Sequence, residues 1–204
     1  MARIESVERL RELLGEPGAL VRSKFHEALT EQAIAFIARA PMLFLATARA
    51  DGTPAVSPKG DSPGFVHVED PRTLLLPERK GNKLIFSLQN ILANSAVELI
   101  FLVPGTGETL RVAGHAELDD DAGLCARFIE HGRPALLVTR IHLHRCYFHC
   151  AKAFLRSRLW QPQSWSRTAL RVSFGREIAQ AGGLAAADVD AFDQGVHERY
   201  RTDL

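Results

Sequence analysis

From residue 42 to residue 144 the hydrophobic positions fall in short runs a strand's length apart, whereas both ends of the chain place them at helical spacing. At the amino end Ile4, Val7, Leu10 and Leu14 keep a helical period up to Gly15, and Thr30 stands as the cap of a second helix carrying Ile34 and Ile37, which Pro41 ends. The period then changes. Residues 42–48 read as a strand, the Asp51-Gly52 pair as a hairpin turn, and residues 54–58 as the returning antiparallel partner. Further strands are predicted over 64–68, over 73–76 after the turn at Asp70 and Pro71, over 97–103, over 109–118 and over 135–144. Helices are predicted over 83–93 and 122–130, and the tail from 151 is irregular before a last helix near 185–200.

Short strands, tight hairpins and one interposed helix predict a mainly β fold with flanking helices (α+β), a six- to seven-stranded antiparallel barrel. A parallel sheet would alternate strand and helix throughout. The 204 residues are expected to form a single domain, 1–204, with amino-terminal helices over 1–40, the barrel core over 41–150 and a carboxyl-terminal extension over 151–204.

Composition narrows the class of function. With 25 Lys and Arg against 24 Asp and Glu there is no basic excess to hold a nucleic-acid backbone, so no nucleic-acid partner is expected. No apolar run approaches the roughly 18–20 residues of a membrane span, and the first nine residues lack the apolar core of a signal peptide, so the expectation is a cytoplasmic protein without a membrane partner. Three cysteines, Cys125, Cys146 and Cys150, are too few and odd in number for a disulfide framework, and reduced thiols are expected.

Charge patterning singles out one place. Arg79, Lys80 and Lys83 crowd the start of the helix predicted over 83–93, where the helix dipole and free N–H groups are already positive. Cations there ask for a phosphate or carboxylate among them. A second constellation, Cys146, His149 and Cys150 with His142 and His144 upstream, has ligand types that suit zinc. On a strand, however, Cys146 and Cys150 are about 13 Å apart and cannot share one ion, although a helix would bring them together. No metal is therefore expected. No nucleophile elbow, Walker loop or His-Glu-x-x-His pattern is present, and catalytic residues stay unassigned.

The element order over 30–58, the run Ser57-Pro58-Lys59-Gly60-Asp61 with Pro63 to Val66, Gly81-Asn82-Lys83 with Ser87, and residues 109–116 together resemble the pyridoxamine 5'-phosphate oxidase-like flavoproteins. The resemblance covers residues 30–165. Phe-Leu-Val-Pro-Gly at 101–105 and Cys-x-x-His-Cys-x-Lys-Ala at 146–153 are similar to an uncharacterised branch of that family. It implies a split β-barrel that binds FMN at a homodimer interface and acts as an FMN-dependent oxidoreductase on a small-molecule substrate. The same barrel is shared by deazaflavin-dependent reductases. It also serves non-catalytic proteins that hold flavin, or haem through a histidine such as His142 or His144.

By this resemblance the FMN phosphate lies between Lys59 and the group Arg79, Asn82 and Lys83, with Ser87 on the helix beyond. Lys80, next to Gly81, is expected to face water. Ser57, Pro58 and Lys59 would meet the pyrimidine edge of the flavin through backbone N–H and C=O groups, or else form a plain strand end, with Gly60 beside them in the cofactor site. Arg111 would stand beside the flavin ring or phosphate, or else occupy a solvated barrel position. Trp160 would close over the ring from the partner subunit, or else serve dimer packing alone. The carboxyl end, residues 196–204, lacks the arginine-rich pattern with which the oxidase proper holds its substrate phosphate.

Overall fold

The computed structural model describes residues 3–203. Met1, Ala2 and Leu204, which belong to the end segments of the domain reading and of the signal-peptide reading, lie outside the described residues. Three helices come first, α1 (Val7–Leu14), α2 (Ala19–Arg22) and α3 (Glu31–Ile37). Thr30 caps α3 as its sequence position requires, its hydroxyl accepting from the Ala33 N–H at 3.2 Å, and Ala33 and Ile37 are buried.

Seven antiparallel strands follow: β1 (Met42–Ala48), β2 (Pro54–Gly60), β3 (His67–Asp70), β4 (Thr73–Glu78), β5 (Ala96–Leu102), β6 (Thr109–Asp119) and β7 (Leu137–His149). They form one sheet in the order β2-β1-β5-β6-β7-β4-β3. α4 (Phe86–Ala93) carries the chain from β4 to β5, and α5 (Ala122–Cys125) lies between β6 and β7. Beyond β7 come α6 (Lys152–Ser157), α7 (Phe174–Gln180) and α8 (Val189–Thr202), with 3-10 turns at Pro162–Ser164 and Ala186–Asp188.

Alternation decides the core. In β1, Leu43, Leu45 and Thr47 are buried while Phe44, Ala46 and Ala48 are half-exposed, the period of 2 that the sequence carries. Leu74 and Leu76 of β4, Leu99 and Phe101 of β5, Leu110 and Val112 of β6 and Ile141 of β7 pack on the same inner side, with Ala33 and Ile37 of α3. α4 is tied to this wall by a buried hydrogen bond from Asn90 Nδ2 to Thr47 Oγ1 at 2.9 Å. A second cluster, Leu75, Leu124, Cys125, Ala135 and Val138, lies under α5.

The barrel is split where β2 approaches β4. These strands share no backbone ladder, and side chains span the gap. Lys59 Nζ of β2 lies 2.5 Å from Glu78 Oε2 of β4, and Arg79 Nε lies 2.9 Å from Asp61 Oδ2. Thr139 of β7 also donates to Glu78, at 3.3 Å. Lys59 and Ser57 point inward because they pair in register with the buried Leu43 and Leu45.

Several boundaries depart from the sequence reading. The helix predicted over 83–93 begins only at Phe86, because Lys83 (φ 64°) and Ile85 (φ 44°) are left-handed. The helix predicted over 122–130 stops at Cys125, whose carbonyl accepts from Phe128 and then from Ala135. The last strand runs on from residue 144 to His149 because β6 supplies partners as far as Thr109. α2, α6 and α7 were not predicted. These short helices bury almost nothing and so leave little hydrophobic pattern to read.

One irregularity positions side chains used below. The β6–β7 ladder shifts register between Ala113 and Gly114. A Cβ on Gly114 would sit 2.4 Å from the His142 carbonyl oxygen. Gly114→Ala should therefore destabilise the fold by about 1–3 kcal/mol, as overpacking does. An unchanged urea midpoint would contradict that.

Candidate functional site

A cleft of about 700 Å³ opens along the split. Its walls are the end of β2 (residues 56–61), the end of β4, the loop into α4 and the first turn of α4 (residues 77–88), with Phe65, Leu136 and Leu137. Eight of the ten expected site residues line it: Ser57, Pro58, Lys59, Gly60, Arg79, Asn82, Lys83 and Ser87. Two do not. Arg111 lies on the outer side of β6, and Trp160 donates its indole N–H to the Thr106 carbonyl at 2.8 Å while stacking on Phe154.

The basic residues at the cleft differ in what they already hold. Lys59 is committed to Glu78. Arg79 donates to Asp61 and, through Nη1, to the Phe128 carbonyl at 2.8 Å. Lys80, expected to face water, is exposed and there meets Asp203 at 2.7 Å. That hydrogen bond is the main reason the Asp203 carboxyl is held below its ordinary pKa. Lys83 has no hydrogen-bonded or ionic partner among the described residues. The crowd of three cations at a helix start is thus corrected: all three precede the helix, and two are paired.

What remains at the cleft is Lys83 together with the start of α4 itself. Ile85 occupies the cap position of α4 in a left-handed conformation, and no side chain caps that end. The N–H groups of the first turn, Phe86 to Leu88, line the cleft with their donors unclaimed. Asn82 accepts from the Leu84 N–H at 3.1 Å, shaping the turn that carries Lys83 to the same place. Non-glycine residues at positive φ cost about 1–3 kcal/mol each, and a β-branched one such as Ile85 is rare there. Such strain persists where a functional geometry needs it.

Glu78 was absent from the sequence reading, though the signal was there. It ends the otherwise apolar stretch of β4 and is only 7% exposed, so a buried carboxylate had to find a cation. Asp61, which follows Gly60 in the run that carries the resemblance, is the partner of Arg79.

On the outer side of β6 and β7, Arg111 Nε and His149 Nδ1 are buried without hydrogen-bond partners. Glu98 lies 3.8 Å from Arg111 Nη1. Burial, then the charges of Arg111 and Lys24, hold the His149 imidazole below its ordinary pKa. The unfolded chain therefore binds the proton more readily, and stability is lost as pH falls through the usual histidine range. His149→Gln should flatten that part of the stability profile between about pH 7 and pH 5, and parallel profiles for the two proteins would refute it.

Cys146 and Cys150 do not meet. Cys146 faces the core and donates its thiol to the Ala28 carbonyl at 3.2 Å, and burial raises its pKa. Cys150 lies exposed past the end of β7. Among the described residues no helix is long and apolar enough to cross a membrane.

The sequence model of the pyridoxamine 5'-phosphate oxidase family matches residues 29–150. Among solved structures, HupZ from Group A Streptococcus is similar at 20% identity over 59% of this chain and 93% of its own, with a TM-score of 0.48. A protein of Lactobacillus delbrueckii provisionally assigned as a pyridoxamine 5'-phosphate oxidase is similar at 28% identity over 60% of this chain and 95% of its own, with a TM-score of 0.47. An F420 reductase is similar at 22% identity over 58% of this chain and 98% of its own, with a TM-score of 0.42. No curated protein matches the chain.

Proposed function

Because the chain belongs to the pyridoxamine 5'-phosphate oxidase family, whose split barrel is a flavin-binding fold, we propose that its cleft holds FMN and that the protein is a homodimeric FMN-dependent oxidoreductase acting on a small molecule. The observation that carries this reading is the pairing of an uncapped helix start with the unpartnered Lys83 in a cleft of about 700 Å³. That volume lies within the range of cofactor sites. A phosphomonoester near neutral pH carries close to two negative charges, and charge-assisted bonds from Lys83 with the first-turn N–H groups of α4 balance them. The free amide nitrogen of Asn82 adds a neutral donor.

Lys59 and Arg79 act chiefly by holding the two lips of the split at fixed separation, each through its carboxylate. Their charges are already balanced, so the phosphate falls to Lys83 and the helix. Val56, Phe65, Leu84 and Leu136 supply apolar wall for a ring system. FMN, when bound, supplies the hydride or electron transfer, and the protein supplies binding, orientation and exclusion of water.

The homodimer is supported by what one chain leaves bare. Val56 (63% exposed), Ile85 (52%), Phe86 (53%) and Leu136 (65%) form an apolar rim on the cleft. Arg111 and Trp160 can reach a cleft only across an interface between copies, and the orphaned Arg111 Nε fits such a use.

Titration of the purified protein with FMN, followed by flavin fluorescence and absorbance, tests the reading. Saturable uptake of one FMN per chain is expected, in a particle of twice the 22.5 kDa chain mass by light scattering. No uptake of FMN would overturn it, and uptake of a deazaflavin in its place would replace the cofactor.

A further inference from the structure

The outer side of β6 and β7, away from the split, carries, besides the half-buried His149, three histidines that the cleft does not use, His115, His142 and His144. His115 of β6 stands opposite His142 of β7 in register. The next pairs are Gly114 with Leu143 and Ala113 with Arg145, so His144 is the extra residue of a bulge. The bulge turns it outward: His144 and Arg145 are both exposed, while Leu143 and Cys146 on either side stay buried. The backbone of β7 approaches β6 so closely here that only glycine fits at position 114.

The result is a close imidazole pair. The ring centres of His115 and His144 are 5.6 Å apart, with their planes inclined by 39°. A cation bonded to an imidazole nitrogen at about 2.0–2.1 Å lies roughly 3.2 Å from the ring centre. Two rings sharing one ion are then roughly 5.2 Å apart at a tetrahedral angle and 5.5 Å at 120°. The observed spacing sits at the open end of that range.

A second observation concerns orientation. His115 Nδ1 lies 3.3 Å from Ser95 Oγ, on the strand-entry residue just before β5. In the tautomer whose Nδ1–H donates to this hydroxyl, Nε2 keeps its lone pair for a ligand, which is how ligating histidines are held. Nearby, Glu117 Oε1 lies 3.5 Å from His142 Nε2 and adds negative charge to the same surface. Among the described residues no three potential ligands already converge on a point, so the pair offers an ion two nitrogens and leaves its other positions to solvent.

We infer that His115 and His144 form a two-histidine binding site for a late first-row divalent cation, with Ser95 as the positioning residue for His115. By the affinity order of divalent first-row ions, imidazole donors hold Cu²⁺ more tightly than Ni²⁺ or Zn²⁺, which makes Cu²⁺ the sensitive probe of the pair. The site is independent of the flavin reading, and nothing in its test uses FMN.

The test is titration of metal-stripped protein with Cu²⁺ alone in a non-coordinating buffer, read by calorimetry and by electron paramagnetic resonance. One Cu²⁺ per chain with nitrogen hyperfine structure is expected. His115→Ala and His144→Ala should each weaken binding at least about tenfold, and Ser95→Ala by a smaller factor, while exposed His131, mutated to Ala, changes nothing. Far-UV circular dichroism and the thermal midpoint check that each surface variant is folded. No saturable binding by the wild type, or binding unchanged in either of the two histidine variants, overturns the inference. An equal loss in His131→Ala does so too.

Discussion

Lys59→Met is expected to lower folding stability by about 3–5 kcal/mol, because it leaves the Glu78 carboxylate buried with no cation. Lys59 and Glu78 side chains are only 18% and 9% exposed, and after the substitution Thr139 alone would remain, donating at 3.3 Å. One hydroxyl cannot replace an ammonium group against the cost of desolvating a charge. The cost arises from the widowed charge more than from the lost pair, so Lys59→Met combined with Glu78→Leu should recover most of the stability. Urea denaturation of the four proteins of this cycle measures it. Additive costs in the double variant would show that the pair is not coupled, and that the split is held shut by something else.

The second large effect is on the cofactor. Lys83→Glu is expected to weaken FMN binding by at least about tenfold, since it converts a charge-assisted contact with the phosphate into a repulsion at the same place. Lys80→Glu is the matched control. Lys80 is already paired with Asp203 and should matter little for the phosphate. Lys83→Gly separates charge from backbone. Glycine adopts the left-handed conformation without the roughly 1–2 kcal/mol that another residue incurs, so the thermal midpoint should rise while FMN affinity falls. Fluorescence titration reads all three, and an unchanged dissociation constant for Lys83→Glu would place the phosphate elsewhere.

These two predictions concern neighbouring cations that look alike in the sequence. Lys59 and Lys83 were both assigned to the phosphate, yet one is bound up with Glu78 and the other is free among the described residues. Residues close in the sequence fall together here: Ser57 to Gly60 and Arg79 to Ser87 line one cavity. Arg111 and Trp160 were located by resemblance, and neither lies at the cleft of its own chain. No periodicity could have placed them, because where a residue on the outside of a barrel leads depends on how two copies meet.

Local chemistry was legible wherever it is local. Strand β1 runs over the predicted residues 42–48, since its alternation sets which side chains face in, and the Asp51-Gly52 turn sets its pairing with β2. Thr30 caps α3 for a reason contained in four consecutive residues. Partners distant along the chain were not legible. Glu78 lies 19 residues from Lys59, Asp61 lies 18 from Arg79, and Asp203 lies 123 from Lys80. Nor was the left-handed backbone at Lys83 and Ile85, which delays α4 to Phe86 against the apolar pattern of the segment. The order of residues alone thus determined the strands, the hairpin and the presence of an anion-seeking segment, because hydrophobic period and turn chemistry act over a few residues. Which cation is left without a carboxylate partner was decided only by tertiary structure, because an ion pair forms through space and takes whichever carboxylate the fold brings within reach.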